Sequence, residues 1–301
     1  MSTPAGAAAT TATPAQWLEG ARPRTLPAAV SPVVAATGVV AFTDRVNPVA
    51  ALLALVVSLA LQVGVNYAND YSDGIRGTDA VRVGPVRLVG SGLARPRTVR
   101  NAAFACFAVA AVAGLALVVL TGHWWLLAVG AACVLAAWYY TGGRRPYGYA
   151  GLGEVFVFVF FGLVATCGTG YVQTGTVGAA LLVTAVWVGA LTTAVLVANN
   201  LRDLAGDAAS GKRTLATRLG DRGTRFLYAA LVAVGALGLV GVALLTTPWV
   251  LLALIALVVL VKPVRAVVEG ARGRDLIAVL KATGLAGLAT ALVSALALIL
   301  A

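Results

Sequence analysis

Five carboxylates stand out in a chain that has almost none. Asp70 and Asp73 close the run Asn66-Tyr67-Ala68-Asn69-Asp70-Tyr71-Ser72-Asp73, Asp79 follows it, and Asp203 and Asp207 lie in Asn199-Asn200-Leu201-Arg202-Asp203-Leu204-Ala205-Gly206-Asp207. All 301 residues together carry only 11 Asp and Glu. Positions three and four apart share a helix face, so Asn66, Asp70 and Asp73 would point one way, and Asn199, Asp203 and Asp207 would do the same. Both runs end long apolar stretches, where a carboxylate is costly and tends to mark a site. Two facing sets of hard oxygen ligands suit Mg²⁺ shared between protein carboxylates and substrate phosphates. Reading them as plain solvated helix ends is weaker, because an Asp at a helix C-terminus opposes the macrodipole and here it happens twice, each time behind an Asn.

Basic and aromatic residues accompany the acids. The stretch Tyr139-Tyr140-Thr141-Gly142-Gly143-Arg144-Arg145-Pro146-Tyr147-Gly148-Tyr149 offers Arg144 and Arg145 as phosphate contacts, with topological anchoring the equal alternative. Tyr140, Tyr147 and Tyr149 would line an aromatic site or sit in an interfacial belt. Glu154 opens an apolar stretch, where an N-terminal carboxylate is favourable, with a general-base role the lesser reading. Arg22 and Arg24, in Arg22-Pro23-Arg24-Thr25-Leu26-Pro27, could reach the same face.

The elements that must position these residues follow from composition. The chain is 60% hydrophobic and 11% charged, with a mean hydropathy of +0.93, which makes it an all-α, polytopic membrane protein. Nine apolar spans are expected at 26–43, 48–67, 101–121, 124–141, 153–172, 176–199, 226–246, 249–266 and 277–300. Lys262 and Arg265 make the eighth the least regular. With Lys262, Arg265 and Lys281, at the ends of the last two spans, assigned to the adjoining connection, 21 of the 22 Lys and Arg fall on one side and only Arg45 on the other. That asymmetry puts the N-terminus in the cytoplasm and the C-terminus outside. The outside connections are short and the inside ones elaborate, so polar chemistry belongs on the cytoplasmic face. The two halves share an order of apolar helix, Asn/Asp run and basic Gly-rich loop, which suggests an internal duplication.

Other readings are set aside on the same grounds. A net charge of +11 could indicate nucleic-acid binding, but the basic residues are spread over every inside loop, so no nucleic acid is expected and the lipid bilayer is the partner. Cys106, Cys133 and Cys167 stand alone in apolar spans and read as small buried hydrophobes. His123, between short spans beside Trp124 and Trp125, reads as interfacial. Gly235, Gly238, Gly241, Gly284 and Gly287 read as close-packing positions between helices, and no P-loop pattern occurs. Residues 1–15 are expected to be a disordered Ala/Thr/Pro-rich tail and 16–301 a single membrane domain. Nothing signals an oligomeric state.

These motifs together resemble the UbiA superfamily of intramembrane aromatic prenyltransferases, and within it the menaquinone branch, the 1,4-dihydroxy-2-naphthoate polyprenyltransferases. The residues that carry the resemblance are Asn69-Asp70-Tyr71 through Gly77-Thr78-Asp79, Arg145-Pro146-Tyr147-Gly148-Tyr149 with Gly151-Leu152-Gly153, and Asn199 to Asp203 followed by Gly211-Lys212-Arg213-Thr214-Leu215. The resemblance implies a UbiA-type helical bundle in a bacterial cytoplasmic membrane. It implies transfer of a polyprenyl group from polyprenyl diphosphate to 1,4-dihydroxy-2-naphthoate, with loss of CO₂ and diphosphate, giving demethylmenaquinone. It implies Mg²⁺ as cofactor, held by Asn66, Asp70, Asp73, Asn199, Asp203 and Asp207, the four aspartates being catalytic. Arg22, Asn66, Asn69, Tyr140, Arg145, Tyr147, Tyr149, Asn199, Asn200 and Lys212 would contact substrate.

Two departures qualify the match. The superfamily often has a further Asp four residues after the Asp73 position; Gly77 stands there and the next acid is Asp79. The basic residue after Tyr140 can be taken as Arg144 or Arg145, and Arg145 is favoured because it precedes Pro146. The alternatives are another aromatic acceptor, such as 4-hydroxybenzoate or homogentisate, and, from another class, a cation-coupled transporter, which would more often place its acids near mid-span in interrupted helices.

Overall fold

The computed structural model describes residues 12–77 and 87–301, and among these all regular structure is helical. Pro14 and Ala15, expected in the tail, open a short helix instead: α1 (Pro14–Gly20) starts with Thr13 and Gln16 in a reciprocal capping box. A 3₁₀ turn at Pro23–Thr25 leads into α2 (Leu26–Ala41). Then come α3 (Pro48–Arg76), α4 (Pro96–Thr121) and α5 (Leu126–Tyr139). The next crossing combines α6 (Gly153–Val157), a π-helical stretch Phe158–Val164 and α7 (Ala165–Thr174). α8 (Ala179–Ala209), α9 (Leu215–Leu245), α10 (Ala253–Val258), α11 (Val261–Val268) and α12 (Asp275–Ile299) complete the chain.

Each expected span coincides with a helix or a broken one, but the count differs. Seven helices among the described residues are long and apolar enough to cross a membrane. The segment Pro248–Val258 with Val261–Val268 is bent by 50° and would make an eighth. The bend lies where Lys262 and Arg265 interrupt the apolar run, so α11 breaks away there and Arg265 pairs with Glu269 on its exposed face at 2.6 Å. α5 has 14 residues, about 21 Å at 1.5 Å per residue, against a hydrocarbon core of about 30 Å.

α3 and α8 are longer than the bilayer requires. At 29 and 31 residues they run about 43 and 46 Å. Their last turns therefore carry Asn66–Asp73 and Asn199–Asp207 as straight continuations of the spans. α3 stops at Gly77, which adopts the left-handed conformation at φ 69° that helix C-caps favour.

α8 is the central element, with α2, α9, α12 and the π-helical stretch packed around it. Its Trp187, Val188 and Leu191 meet Leu239 and Val242 of α9 and Ala291 and Leu298 of α12 in the main core cluster. Small residues allow the close approach. A Cβ on Gly238 would lie 2.5 Å from that of Trp187, and one on Gly235 2.7 Å from Leu191 Cδ2. Gly284 and Gly287 do not pack this way, their nearest neighbours being 3.8 and 4.0 Å off; Gly284 lines a cavity instead. At the crossing of α2 on α12 backbone meets backbone, and a Cβ at Gly38 would fall 2.5 Å from Ala295 Cα. Backbone has to move to accept it, so Gly38→Ala is expected to destabilise the fold by about 1–3 kcal/mol, read as a lowered melting temperature in detergent, with activity per folded molecule retained.

Candidate active site

The C-terminal turns of α3 present Asn66, Asn69 and Asp73 to one large cavity. Asp70 is not with them. Three residues before Asp73, it sits about 60° around the helix, is 1% exposed, and is absent from the cavity wall. Its Oδ2 accepts from the Leu88 N–H at 2.8 Å and its Oδ1 from the Val89 N–H at 3.0 Å. Both oxygens of this expected metal ligand are thus engaged by the loop that carries Arg87. Asn66 lines the cavity and is also engaged elsewhere. Its Nδ2 donates to Ala21 O at 2.9 Å and to Thr25 Oγ1 at 3.0 Å, and its Oδ1 accepts from Gln62 at 3.4 Å, so it ties the N-terminal segment to α3. Asn69 Oδ1 accepts from Thr141 Oγ1 at 2.7 Å. Asp73 accepts from the Tyr149 hydroxyl and lies 3.6 Å from Arg87 Nη2. Asn66, Asn69 and Asp73 of α3 line the cavity, and the pair Asn69 with Asp73 matches Asn199 with Asp203 on α8. The position four residues on is Gly77 in the first and Asp207 in the second. Asp79 lies outside the described residues.

On α8, Asn199, Asn200, Arg202, Asp203 and Asp207 all face the cavity. Arg202 donates to both oxygens of Asp203, at 2.8 and 2.7 Å, and to Asn199 Oδ1 at 2.9 Å. Lys212 Nζ stands 3.8 Å from Asp207. Asn200 Nδ2 donates to Glu154 Oε1 at 2.8 Å.

The connection between α5 and α6 closes the site from the side. Arg76, on the exposed end of α3, clips it by donating to the carbonyls of Thr141 and Gly143. The Tyr147 ring stacks on Phe156, with centroids 4.0 Å apart, and meets Tyr140 edge to face at 5.5 Å. Its hydroxyl donates to Ala136 O at 2.8 Å. Burial pushes the Tyr147 phenol well above its ordinary pKa, with Tyr140 adding to the shift, so it remains a neutral donor. Tyr149 joins the halves: its hydroxyl reaches Asp73, Lys212 Nζ lies 4.5 Å over its ring, and its carbonyl accepts from the Arg213 N–H at 3.0 Å. Gly151 makes that docking possible, because at φ 76° a side chain would be strained and its Cβ would meet Arg213 O at 3.0 Å. Arg144 and Arg145 are exposed and neither lines the cavity, so the favoured phosphate contact, Arg145, stands apart from the other expected site residues. Arg22 does line it, from a left-handed backbone conformation (φ 55°, ψ 69°) that only a few non-glycine residues hold.

The cavity encloses about 1830 Å³. One end holds the groups above. The remainder is apolar, walled by residues such as Val57, Leu61, Val118, Val134, Phe160 and Val164. It reaches Ala54 on α3 and Val172 on α7, about 22–28 Å along the helices from the polar end, close to the full depth of a bilayer core. α5 has no buried residue and makes its main contacts with α3 and α4.

Asp73, Asp203 and Asp207 each face a basic or hydroxyl group, and Arg87 and Arg202 line the cavity without having been expected from the spacing. Arg202 had a signal, since it sits inside the second Asn/Asp run. Arg87 had none, because only the fold brings its loop to Asp73. Among the described residues no three Asp, Glu, His or Cys side chains are grouped to hold an ion alone. The donors are nonetheless the hard oxygens Mg²⁺ takes, and a shared ion completed by phosphate oxygens needs fewer protein ligands. Tyr149→Phe keeps the ring under Lys212 but removes the donor to Asp73. It is expected to lower kcat about tenfold, the scale of one hydrogen bond to a charged group, in single-turnover assays at saturating substrate.

A polar pocket of carboxylates and bases opening into a membrane-deep apolar arm defines a membrane enzyme for an amphiphilic anion. The chain belongs to the UbiA prenyltransferase family, whose model matches residues 29–285. It is 56% identical over 284 residues, 94% of this chain and 97% of the relative, to the 1,4-dihydroxy-2-naphthoate octaprenyltransferase of Mycobacterium tuberculosis. It is 37% identical to the protein of the same name from Escherichia coli, across 84% of this chain and 85% of that one. The fold is shared with a UbiA homolog from Archaeoglobus fulgidus bound to GPP and Mg²⁺, with a TM-score of 0.67 at 14% identity over 95% of this chain and 100% of that chain.

Proposed function

We propose that this chain transfers a polyprenyl group from polyprenyl diphosphate to 1,4-dihydroxy-2-naphthoate in menaquinone synthesis. The observation that carries the reading is the single cavity that joins both acidic helix ends to an apolar arm of bilayer depth. The relatives of that name support the choice of acceptor. In the reaction the allylic C–O bond breaks and its electron pair leaves with diphosphate. The ring carbon bearing the carboxylate forms the new C–C bond, and loss of CO₂ returns an electron pair to the ring. The product leaves as the quinol form of demethylmenaquinone, so no oxidant is required.

Asp73, Asn199, Asp203 and Asp207, with Asn69 beside them, are the residues that would hold Mg²⁺. The ion, when bound, supplies charge neutralisation for the leaving diphosphate. Arg87, Arg202 and Lys212 clamp the phosphate oxygens, exchanging their carboxylate partners for substrate. Tyr140, Tyr147 and Phe156 offer an aromatic wall for the naphthoate ring. The apolar arm takes the prenyl tail and keeps water from the developing cation. Residues 16–301 act as one domain of a bacterial cytoplasmic membrane, N-terminus and active site on the cytoplasmic side, as the distribution of Lys and Arg favours.

The test is an assay of the purified protein in nanodiscs with labelled polyprenyl diphosphate, 1,4-dihydroxy-2-naphthoate and Mg²⁺, with and without EDTA. A lipid of the mass of prenylated, decarboxylated naphthohydroquinone, abolished by EDTA and restored by Mg²⁺, is the expected result. Product only with 4-hydroxybenzoate or homogentisate would keep the chemistry and replace the acceptor. Substrate flux across sealed vesicles without conversion would overturn the reading in favour of transport.

A further inference from the structure

Glu154 is a buried acid that the mechanism above does not use. It lies in the first turn of α6 and is 5% exposed. Burying a carboxylate among apolar helices is costly unless its oxygens are satisfied. Asp70 shows how a buried carboxylate is satisfied in this molecule, with one backbone N–H on each oxygen. Glu154 is different: Oε1 accepts from Asn200 Nδ2 at 2.8 Å, while Oε2 is buried with no hydrogen-bond partner. Besides its own backbone N–H, the acid's hydrogen-bond partner is a side chain of the cavity wall.

That contact fixes an orientation. A carboxylate oxygen can only accept, so the amide must turn its NH₂ toward Glu154. Oδ1 is left on the opposite edge of the amide. Asn200, Tyr140 and Phe156 all line the cavity, and Gly153, the residue before Glu154, has the Tyr140 hydroxyl and Leu196, one turn before Asn200 on α8, each 3.5 Å from where its Cβ would be. The fixed amide and the aromatic wall thus share one corner.

We propose that Glu154 is a positioning residue that locks the Asn200 amide so that its oxygen accepts a hydrogen bond from a ring hydroxyl of the aromatic acceptor. This rests on the acceptor reading above. The partner recognised is a phenolic O–H held edge-on to Asn200 while the ring lies against Tyr147 and Phe156. A hydroxyl that donates to a fixed acceptor enriches its ring in electrons, the direction that attack on an allylic cation needs. The bond selects acceptors with a hydroxyl at that ring position over analogues without it.

The test is steady-state kinetics of full-length protein in nanodiscs, varying each substrate separately. In Glu154→Gln the new side chain can donate or accept, so the amide is free to flip. KM for the acceptor is expected to rise about tenfold, the scale of one lost hydrogen bond, while KM for the prenyl diphosphate stays within about twofold. Asn200→Ala should give the same split. The exchange Glu154→Gln with Asn200→Asp restores one donor and one acceptor at the contact and leaves a carboxylate oxygen toward the cavity; acceptor KM is expected to return to within about threefold of wild type. Preference for 1,4-dihydroxy-2-naphthoate over an analogue lacking one hydroxyl should collapse in the single variants and recover in the exchange. Equal changes in both KM values, or a lowered melting temperature with neither KM changed, would overturn the proposal. If wild type prenylates a different phenol, the acceptor reading falls, and the same split measured with that phenol still decides the role of Glu154.

Discussion

Asp203→Asn is expected to lower turnover by at least about a hundredfold, with insertion and melting temperature little changed. Asp203 takes two hydrogen bonds from Arg202 and shares the cavity wall with Asn199 and Asp207. An amide of the same shape keeps the packing but removes the negative charge, and with it both the partner of Arg202 and a hard ligand for a cation. Deleting one preorganised charged group from a site that stabilises a leaving anion costs about 3–4 kcal/mol in the barrier. Asp70→Asn should behave in the opposite way. One amide oxygen cannot serve both the Leu88 and Val89 N–H groups, so a buried donor is stranded at about 1–3 kcal/mol. The melting temperature should drop, while the Mg²⁺ concentration needed for half-maximal rate stays that of wild type. The two variants are compared by Mg²⁺ titration of activity alongside thermal unfolding. A raised Mg²⁺ requirement in the Asp70 variant at unchanged stability would return that residue to the metal site. Normal turnover in the Asp203 variant would remove the second acidic run from the chemistry.

Gly168→Leu is expected to separate long prenyl substrates from short ones. Gly168 lines the apolar arm, and nothing lies within 4 Å of where its Cβ would be, so a larger side chain grows into the cavity rather than into the core. It stands about 22 Å along the helix from Gly153 at the polar end. A long tail would have to overlap the leucine, at a cost of about 1–3 kcal/mol, so kcat/KM for octaprenyl diphosphate should fall roughly 5- to 150-fold. Geranyl diphosphate stops short of that depth and should react within about twofold of wild type. Gly130 has the same open surroundings on α5 but lies only about 14 Å from Tyr139, so Gly130→Leu should exclude shorter tails than Gly168→Leu does. Equal losses on all chain lengths would show that these positions do not border the path of the tail.

The membrane class, the places of the apolar helices and the two acidic runs were legible because composition decides them locally, whereas the count of nine spans was not, since the shortness of α5 and the bend before α11 are set by details of the local sequence. The positions of individual side chains were less so. Helical spacing put Asp70 and Asp73 on one broad face, and it could not say that a loop distant in the chain would take Asp70 and leave Asp73 to the cavity. Asn66 faces the cavity as its spacing expects, but its hydrogen bonds to Ala21 and Thr25, more than forty residues away, could not be read from that spacing. Arg145 was preferred because Pro146 follows it, yet the tight turn through Gly142 and Gly143 leaves it outside. Asn199, Asp203 and Asp207 share the cavity-facing side that their spacing expects, since α8 continues unbroken to Ala209 and its register alone determines where they face.

The shortness of α5 bears on the lipid around it. A 14-residue apolar helix spans about 21 Å, whereas α3 and α4 beside it are long enough to cross on their own. Acyl chains next to α5 must compress to meet it, at a fraction of a kcal/mol per Å of mismatch. The bilayer is thereby pinched along the flank where this helix covers the apolar arm. Thickness then becomes a variable of the enzyme's environment, in the way that ionic strength is for a soluble one: thin, short-chain bilayers relieve the compression and thick ones add to it. A protein whose substrate tail and product both dissolve in that same hydrocarbon is tuned in part by the membrane it sits in.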